Sequence, residues 1–216
     1  MDDPRQAAVS FITTEHFTLQ GARSSTISES TARASIFLAS VSGGLVAFGL
    51  IATAARVGTA FYAFGLILLP TLAFIGFVTF HRVLQSGIED LGYAHRIALL
   101  RGYYFDNAPE LTPYLLSVAA RQRVAVQGLR GGPWQGFLTV AGMTAVITSV
   151  LAGAATGLLA AVISGLSLAA ALVTGGLCAA AALVALMRYQ RRAWGRAEAT
   201  DEAILGVGEG VAAQRS

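Results

Sequence analysis

Acidic and histidine side chains that could bind a cation gather in one polar stretch of the chain. They are Glu89, Asp90, His95, Asp106 and Glu110. Carboxylate oxygens suit divalent cations and imidazole suits transition metals, so these residues are candidates for a metal or regulatory site. Their spacing matches no established metal motif. Solvated helix faces and turn caps paired with Arg96 and Arg101 are the alternative interpretation.

Neutral polar and small residues inside the apolar stretches are a second set of candidates. Hydroxyls and backbone carbonyls can line an ion path, and the pore-lining candidates are Ser40, Ser42, Gly44, Thr144 and Thr148. Hydrogen bonds from these hydroxyls to their own helices are the alternative. The apolar stretches contain no Asp, Glu, His, Lys or Arg, which argues against proton coupling and voltage sensing.

Enzyme motifs are missing from the sequence. It has no nucleophile elbow, P-loop, HExxH or zinc-ligand pattern, and Cys178 is the one cysteine, so no intrachain disulfide can form. We therefore predict a protein that is not an enzyme and has no cofactor. A lipid-modifying enzyme that uses His81, Asp90 or His95 at the membrane interface is the weakest alternative.

Four long apolar stretches must position all of these residues. The chain has 216 residues, of which 55% are hydrophobic and only 12% charged, against about a quarter charged in soluble domains. The stretches at 35–55, 59–80, 136–157 and 162–187 each approach or exceed the ~20 residues that cross a bilayer. The sequence therefore predicts an all-α, multi-pass membrane protein with four transmembrane helices.

The arginines predict which side of the membrane each end occupies. All 15 basic residues are arginine, and all except Arg56 lie before the first span, between the second and third, or after the fourth. Under the positive-inside rule the four spans form two hairpins with both termini in the cytoplasm. The predicted organisation is a cytoplasmic segment (1–34), a hairpin (35–80), a cytoplasmic helical block (81–134), a second hairpin (135–187) and a cytoplasmic helix and tail (188–216).

Basic and aromatic residues at the span ends suggest lipid as a partner. Arg188, Arg191, Arg192 and Trp194 follow the fourth span, where anionic headgroups are the natural contact. Because the positive charge gathers at span ends, we predict no nucleic-acid partner.

The polar segments are expected to be helical. A helix capped by Asp3 should begin at Pro4. Ala8, Phe11, Ile12, Glu15 and Leu19 would form one face of it. Gly21 could interrupt this helix, although we favour a helix that continues through residues 24–31. The second span should extend into the cytoplasm and end before residues 106–113, with a short helix at 114–127.

Small residues predict close packing between spans. Gly153 and Gly157 have GxxxG spacing, and the fourth span contains Gly175 and Gly176. The turn between the third and fourth spans is expected within residues 157–165.

Two runs of the sequence resemble a known family. The runs FITTEHFTLQ (11–20) and RGYYFDNAPELTPY (101–114) are similar to a family of uncharacterised four-span membrane proteins from actinobacteria, which implies a bacterial plasma membrane but no established activity. The layout also resembles SLATT-type membrane effectors, in which transmembrane hairpins joined to cytoplasmic helices are thought to form pores. From the layout and the small-residue spans we expect a homo-oligomeric ion-conducting channel. The alternative is a non-conducting scaffold that recruits a cytoplasmic protein through residues 106–114. The ion, gating stimulus and stoichiometry have no signature in the sequence.

Overall fold

The structure is a computed structural model that describes residues 4–54, 58–107, 134–165 and 167–213. Within these ranges all regular structure is helical. The helices are α1 (Pro4–Ala54), α2 (Thr59–Asn107), α3 (Gln135–Leu138), α4 (Val140–Ser164) and α5 (Leu168–Ala213). Helices α1, α2, α4 and α5 are each long and apolar enough to cross a membrane. The prediction of an all-α protein with four helices long and apolar enough to span a membrane is confirmed.

Helix α1 begins at Pro4 and continues to Ala54. It therefore passes through Gly21 and through the serine- and threonine-rich residues 24–31 without a break, so the prediction of a continuous helix is confirmed. The hydroxyls of Thr18 and Thr26 donate to carbonyl oxygens one turn earlier in α1, at 2.9 and 3.0 Å. These bonds satisfy the two hydroxyls inside the helix, so the backbone can stay helical around them.

Helix α2 extends well past its apolar half, as predicted. It contains Pro70 and ends at Asn107, slightly later than the predicted end before Asp106. The sequence supplies a reason for the later end, because Pro109 disfavours helical backbone at the residue before it and not at Asn107. Glu110 and the predicted short helix at 114–127 lie outside the described residues.

The chain divides into two compact units. One, here called the apolar unit, comprises Thr31–Leu84 and Gly136–Arg192, and the other, the polar unit, comprises Met1–Ser30, Gln85–Gln135 and Ala193–Ser216. All 12 acidic residues of the sequence fall within the ranges of the polar unit. The sequence ranges of the apolar unit include arginines but no aspartate or glutamate.

The apolar unit has one continuous core of interlocking side chains. Its buried members are Phe37 and Val41 of α1, Leu69 and Leu72 of α2, and Leu151 of α4. Phe37 is only 1% exposed. These side chains fill the space among α1, α2 and α4 in the described part of the apolar unit, as in close-packed protein cores generally.

Helices α4 and α5 contact each other through their glycines. A Cβ atom on Gly153 would lie 2.6 Å from the Cβ of Ala179, and one on Gly157 would lie 2.8 Å from the carbonyl oxygen of Ala171. Residues further along α4 thus meet residues nearer the start of α5, so the two helices run in opposite directions. The predicted close packing through these glycines is present within one chain.

The turn between α4 and α5 begins at the last residue of its predicted range, 157–165. Helix α4 continues through Gly157 to Ser164, and Gly165 ends it with a φ of 58°. A left-handed glycine is a common helix end because no Cβ opposes that conformation. The predicted end of the third span at residue 157 is therefore wrong, because Gly157 serves the contact with α5 instead.

Candidate functional site

An exposed face of small residues runs along α1 in the apolar unit. Its members repeat at alternating spacings of three and four and are Ala32, Ser35, Ala39, Ser42, Val46, Gly49 and Thr53; we call them the small-residue stripe. Every one of them is exposed, and Val46 is the only one larger than threonine. The stripe includes Ser42, one of the predicted pore-lining residues.

Large apolar residues flank the stripe on both sides. Ile36 and Leu50 are 67% and 64% exposed, and Leu45 is 48% exposed. They occupy the positions next to the stripe in the same seven-residue repeat. In a ring of helices such flanking positions pack against neighbours while the central positions face the axis.

The heptad spacing of the stripe continues into the polar unit. There the exposed members of the same register are Thr14, Thr18, Gly21, Ser25 and Ser28. One further exposed member of this register, Phe11, is a large apolar residue that is 76% exposed, so the small residues begin at Thr14. Helix α1 thus carries one register of small residues along most of its length, and no pattern of this kind was identified from the sequence beforehand.

The remaining predicted pore-lining residues lie inside the apolar unit or against their own helix. Ser40 is half-buried and donates to Ile36 O at 2.9 Å. Gly44 packs against α2, since a Cβ at that position would lie 2.9 Å from Leu72 Cδ1. Thr144 and Thr148 of α4 are 2% and 5% exposed. These four residues contact other helices of the same chain or their own helix backbone.

Thr148 is the unusual member of this group. Thr144 donates to Val140 O at 2.8 Å, whereas the buried Oγ1 of Thr148 has no hydrogen-bond partner within the described part of the chain. A buried hydroxyl without a partner costs about 1–3 kcal/mol. The group directly opposite it is Gly76 of α2, which has no side chain that could supply a partner.

A buried amide holds the break between α3 and α4. Gln190 of α5 is 1% exposed, and its Nε2 donates to Gly136 O and to Thr139 Oγ1, both at 3.1 Å. Thr139 also caps α4, because its Oγ1 accepts from the backbone N–H of Gly142 at 2.9 Å. Gln190 Oε1 has no partner among the described residues. This network was not predicted, although Gln190 is a lone amide just past a long apolar run.

Three of the five predicted metal or regulatory residues have described side chains. Asp90 accepts from Arg23 Nε at 2.7 Å, so its carboxylate pairs with α1 inside the polar unit. Glu89 is exposed and His95 half-buried on α2, and the side chain of Asp106 lies outside the described set, as does Glu110. Among the described residues, no three His, Cys, Asp or Glu side chains are grouped as a metal site would require.

The predicted lipid-contacting residues differ in their surroundings. Arg188, Arg191 and Arg192 are exposed on α5. Trp194 is half-buried instead, with its ring carbon Cζ2 3.2 Å from the place of a Cβ on Gly87, and its Nε1 is enclosed. The indole therefore packs within the polar unit, because Gly87 leaves room for a large ring.

A hydrogen-bonded pair joins α2 to α5 near these arginines. His81 Nε2 and Tyr189 Oη lie 3.0 Å apart, and their rings are 5.9 Å apart between centroids. Both residues are at least partly exposed. The pair was not predicted, since the two residues are distant in sequence and neither belongs to a motif.

Comparison with known proteins does not identify a relative. No protein-family model, no curated protein and no solved structure matches the chain. The features that bear on function are therefore those of its own helices.

Proposed function

We propose that the protein is a homo-oligomeric ion-conducting pore of a bacterial plasma membrane, in which several copies of α1 surround a central path. The chain would cross the membrane as two hairpins with both termini in the cytoplasm, because that arrangement leaves only Arg56 on the far side. The small-residue stripe on α1 is the observation that carries the proposal.

The filled core of the apolar unit favours a path between chains over a path through one. Phe37, Val41 and Leu72 occupy the space among α1, α2 and α4. An ion cannot cross such a dense apolar core, whereas the centre of a ring of subunits is open by symmetry. The path would then be lined by outward-facing residues of each copy.

The residues of the stripe are better suited to lining a water-filled path than to contacting lipid. Ile67 and Phe74 of α2 are examples of bulky outward residues suited to lipid, exposed by 71% and 68%. The stripe instead presents serine, glycine, alanine and threonine, whose hydroxyls and accessible backbone can contact water. A surface of this type gains little from acyl chains.

The spacing of the stripe also fits a ring of tilted helices. A repeat of 3.5 residues drifts by about 20° per heptad on a straight helix, so it faces a common axis only when the helices coil left-handedly. The flanking residues Ile36, Leu45 and Leu50 would then pack between neighbouring copies of α1. The proposed lining is Ser35, Ala39, Ser42, Val46, Gly49 and Thr53.

A non-conducting scaffold is the second candidate, and the same stripe is the observation that favours it. Alanine and glycine in heptad spacing allow two helices to approach closely, which would close a lumen instead of lining one. The hydroxyl of Thr53 already donates to Leu50 O at 2.9 Å, as a dry helix contact would permit. A dimer of this kind would have no central path.

Two measurements on the full chain separate these functions. Native mass spectrometry from nanodiscs gives the number of copies, and ion flux into liposomes reports conduction. A ring of four or more copies with flux that rises with protein density supports the pore. A dimer without flux at any voltage, pH or divalent-ion concentration supports the scaffold and contradicts the pore.

A further inference from the structure

One face of α2 changes from apolar to polar at the end of its apolar half. Phe74, Phe77 and Val78 are 68%, 51% and 44% exposed. His81 and Arg82 follow on the same face, since positions separated by three, four, seven and eight residues align along a helix. This face could bind a lipid lengthwise. The apolar residues would contact an acyl chain, and the polar residues after them would contact the headgroup.

Helix α5 adds polar groups at the headgroup end. Tyr189 Oη lies 3.0 Å from His81 Nε2, and Arg192 follows Tyr189 by one helical turn. When the imidazole Nε2–H donates to Oη, the phenol proton is directed away from His81 and can donate to an outside acceptor. Phosphate oxygens are acceptors of this kind, and arginine binds them in a forked geometry.

The charge of the surroundings selects an anionic partner. The sequence ranges of the apolar unit include Arg82, Arg188, Arg191 and Arg192 but no aspartate or glutamate. The side chains of this unit therefore contribute positive charge and no negative charge at this edge. Anionic phospholipids are the abundant anions at the cytoplasmic surface of a membrane.

We propose that an anionic phospholipid binds at this edge, with its phosphate at His81, Tyr189, Arg82 and Arg192 and one acyl chain along Phe74, Phe77 and Val78. The site rests on the proposed topology, which puts this edge at the cytoplasmic surface of the membrane. It does not depend on conduction, so it stands whether the protein is a pore or a scaffold. The apolar face commits the site to a lipid, because free phosphate would make no use of the two phenylalanines.

Native mass spectrometry of the delipidated full-length protein tests the site directly. Phosphatidylglycerol and phosphatidylcholine with identical chains are titrated separately, and bound lipids are counted. We expect phosphatidylglycerol to bind at least about tenfold more tightly, because both lipids carry the phosphate but phosphatidylcholine adds a choline cation that the arginines repel. Equal affinity for the two lipids would overturn the proposal.

Matched variants distinguish a built site from general attraction to positive charge. Arg192→Gln and Arg191→Gln remove the same charge, but only Arg192 lies one turn after Tyr189. Arg192→Gln and Tyr189→Phe should each weaken phosphatidylglycerol binding several-fold, whereas Arg191→Gln should leave it nearly unchanged. Equal losses for both arginine variants would show nonspecific attraction and would overturn the site. Unchanged elution and melting temperature identify variants that keep their fold.

Competition distinguishes the lipid from its headgroup. Inorganic phosphate and glycerophosphoglycerol carry the anionic group without acyl chains. Neither should displace phosphatidylglycerol at a hundredfold excess, and Phe77→Ala should weaken binding of the lipid. Displacement by glycerophosphoglycerol at the same concentration as the lipid would show a soluble phosphate site and would overturn the assignment to lipid.

Discussion

Gly76 of α2 and Thr148 of α4 face each other so closely that no side chain fits between them. A Cβ on Gly76 would overlap the Thr148 hydroxyl and would lie 2.8 Å from Cζ of Phe37 on α1. Three helices therefore meet at one glycine in the core of the apolar unit. The same contact leaves the Thr148 hydroxyl enclosed without a partner among the described residues.

Adding one methyl group at this contact should destabilise the protein. We expect Gly76→Ala to lower the free energy of unfolding by about 1–3 kcal/mol, because the overlapping groups belong to a packed core. Gly176→Ala is the matched control, since a Cβ at Gly176 meets nothing within 4 Å. Alanine is the better helix former, so the control should be neutral or slightly stabilising. Thermal unfolding in detergent compares the two, and equal melting temperatures would contradict the contact.

Removing the Thr148 hydroxyl should stabilise the protein. Thr148→Val keeps the shape and deletes a buried group without a partner, so we expect an increase in stability of up to about 1 kcal/mol. Thr144→Val is the control, because it deletes a hydroxyl that donates to Val140 O. The variants also test the location of the path. Liposome flux should be unchanged in Thr148→Val, and its loss would place an ion path inside the subunit.

The Arg23–Asp90 pair should contribute to stability through direct coupling. The two side chains are 22% and 17% exposed, so solvent screens them only partly. We expect Arg23→Gln or Asp90→Asn to cost about 1–3 kcal/mol, and the double variant to cost less than the sum. Arg96→Gln removes an exposed charge from the same unit and should cost under about 0.5 kcal/mol. A double variant whose loss of stability equals the sum of the two single losses would show that the pair does not interact.

The Gln190 network should hold the start of α4. In Gln190→Leu the amide bonds to Gly136 O and Thr139 Oγ1 are lost, while an acceptor without a partner is also removed. The two effects partly cancel, so we expect a net loss of about 1 kcal/mol. Hydrogen exchange resolves the location of the change. Amides of residues 136–142 should exchange faster in the variant, and an even increase over all helices would contradict a local role.

Long apolar runs and strong end signals made much of the fold predictable. Four membrane-crossing helices, the start of α1 at Pro4 and the extension of α2 beyond its apolar half all follow from local sequence. The end of α4 did not, because Gly157 looks like a turn residue until α5 is known to pack against it.

The contacts near the candidate sites depend on partners distant in the chain. Thr144 and Thr148 have the composition of a pore lining, and only α1 and α2 reveal that they point into the core. The hydrogen bond of Gln190 becomes evident only when α3 is known to lie beside α5. The His81–Tyr189 hydrogen bond likewise requires that α2 be known to lie beside α5. The small-residue stripe was present in the sequence throughout, but its uniform exposure becomes evident only when the packed side of α1 is known.

Accessibility of Ser42 during conduction tests the pore proposal most directly. The lone native thiol is removed first with Cys178→Ala, and Ser42→Cys is then compared with Ser40→Cys, which lies two residues away on a half-buried part of α1. Liposome currents are recorded before and after a charged, water-soluble thiol reagent is added. We predict that the reagent blocks current through the Ser42→Cys protein and leaves the Ser40→Cys protein conducting. Current that persists in fully modified Ser42→Cys protein would contradict a path lined by α1.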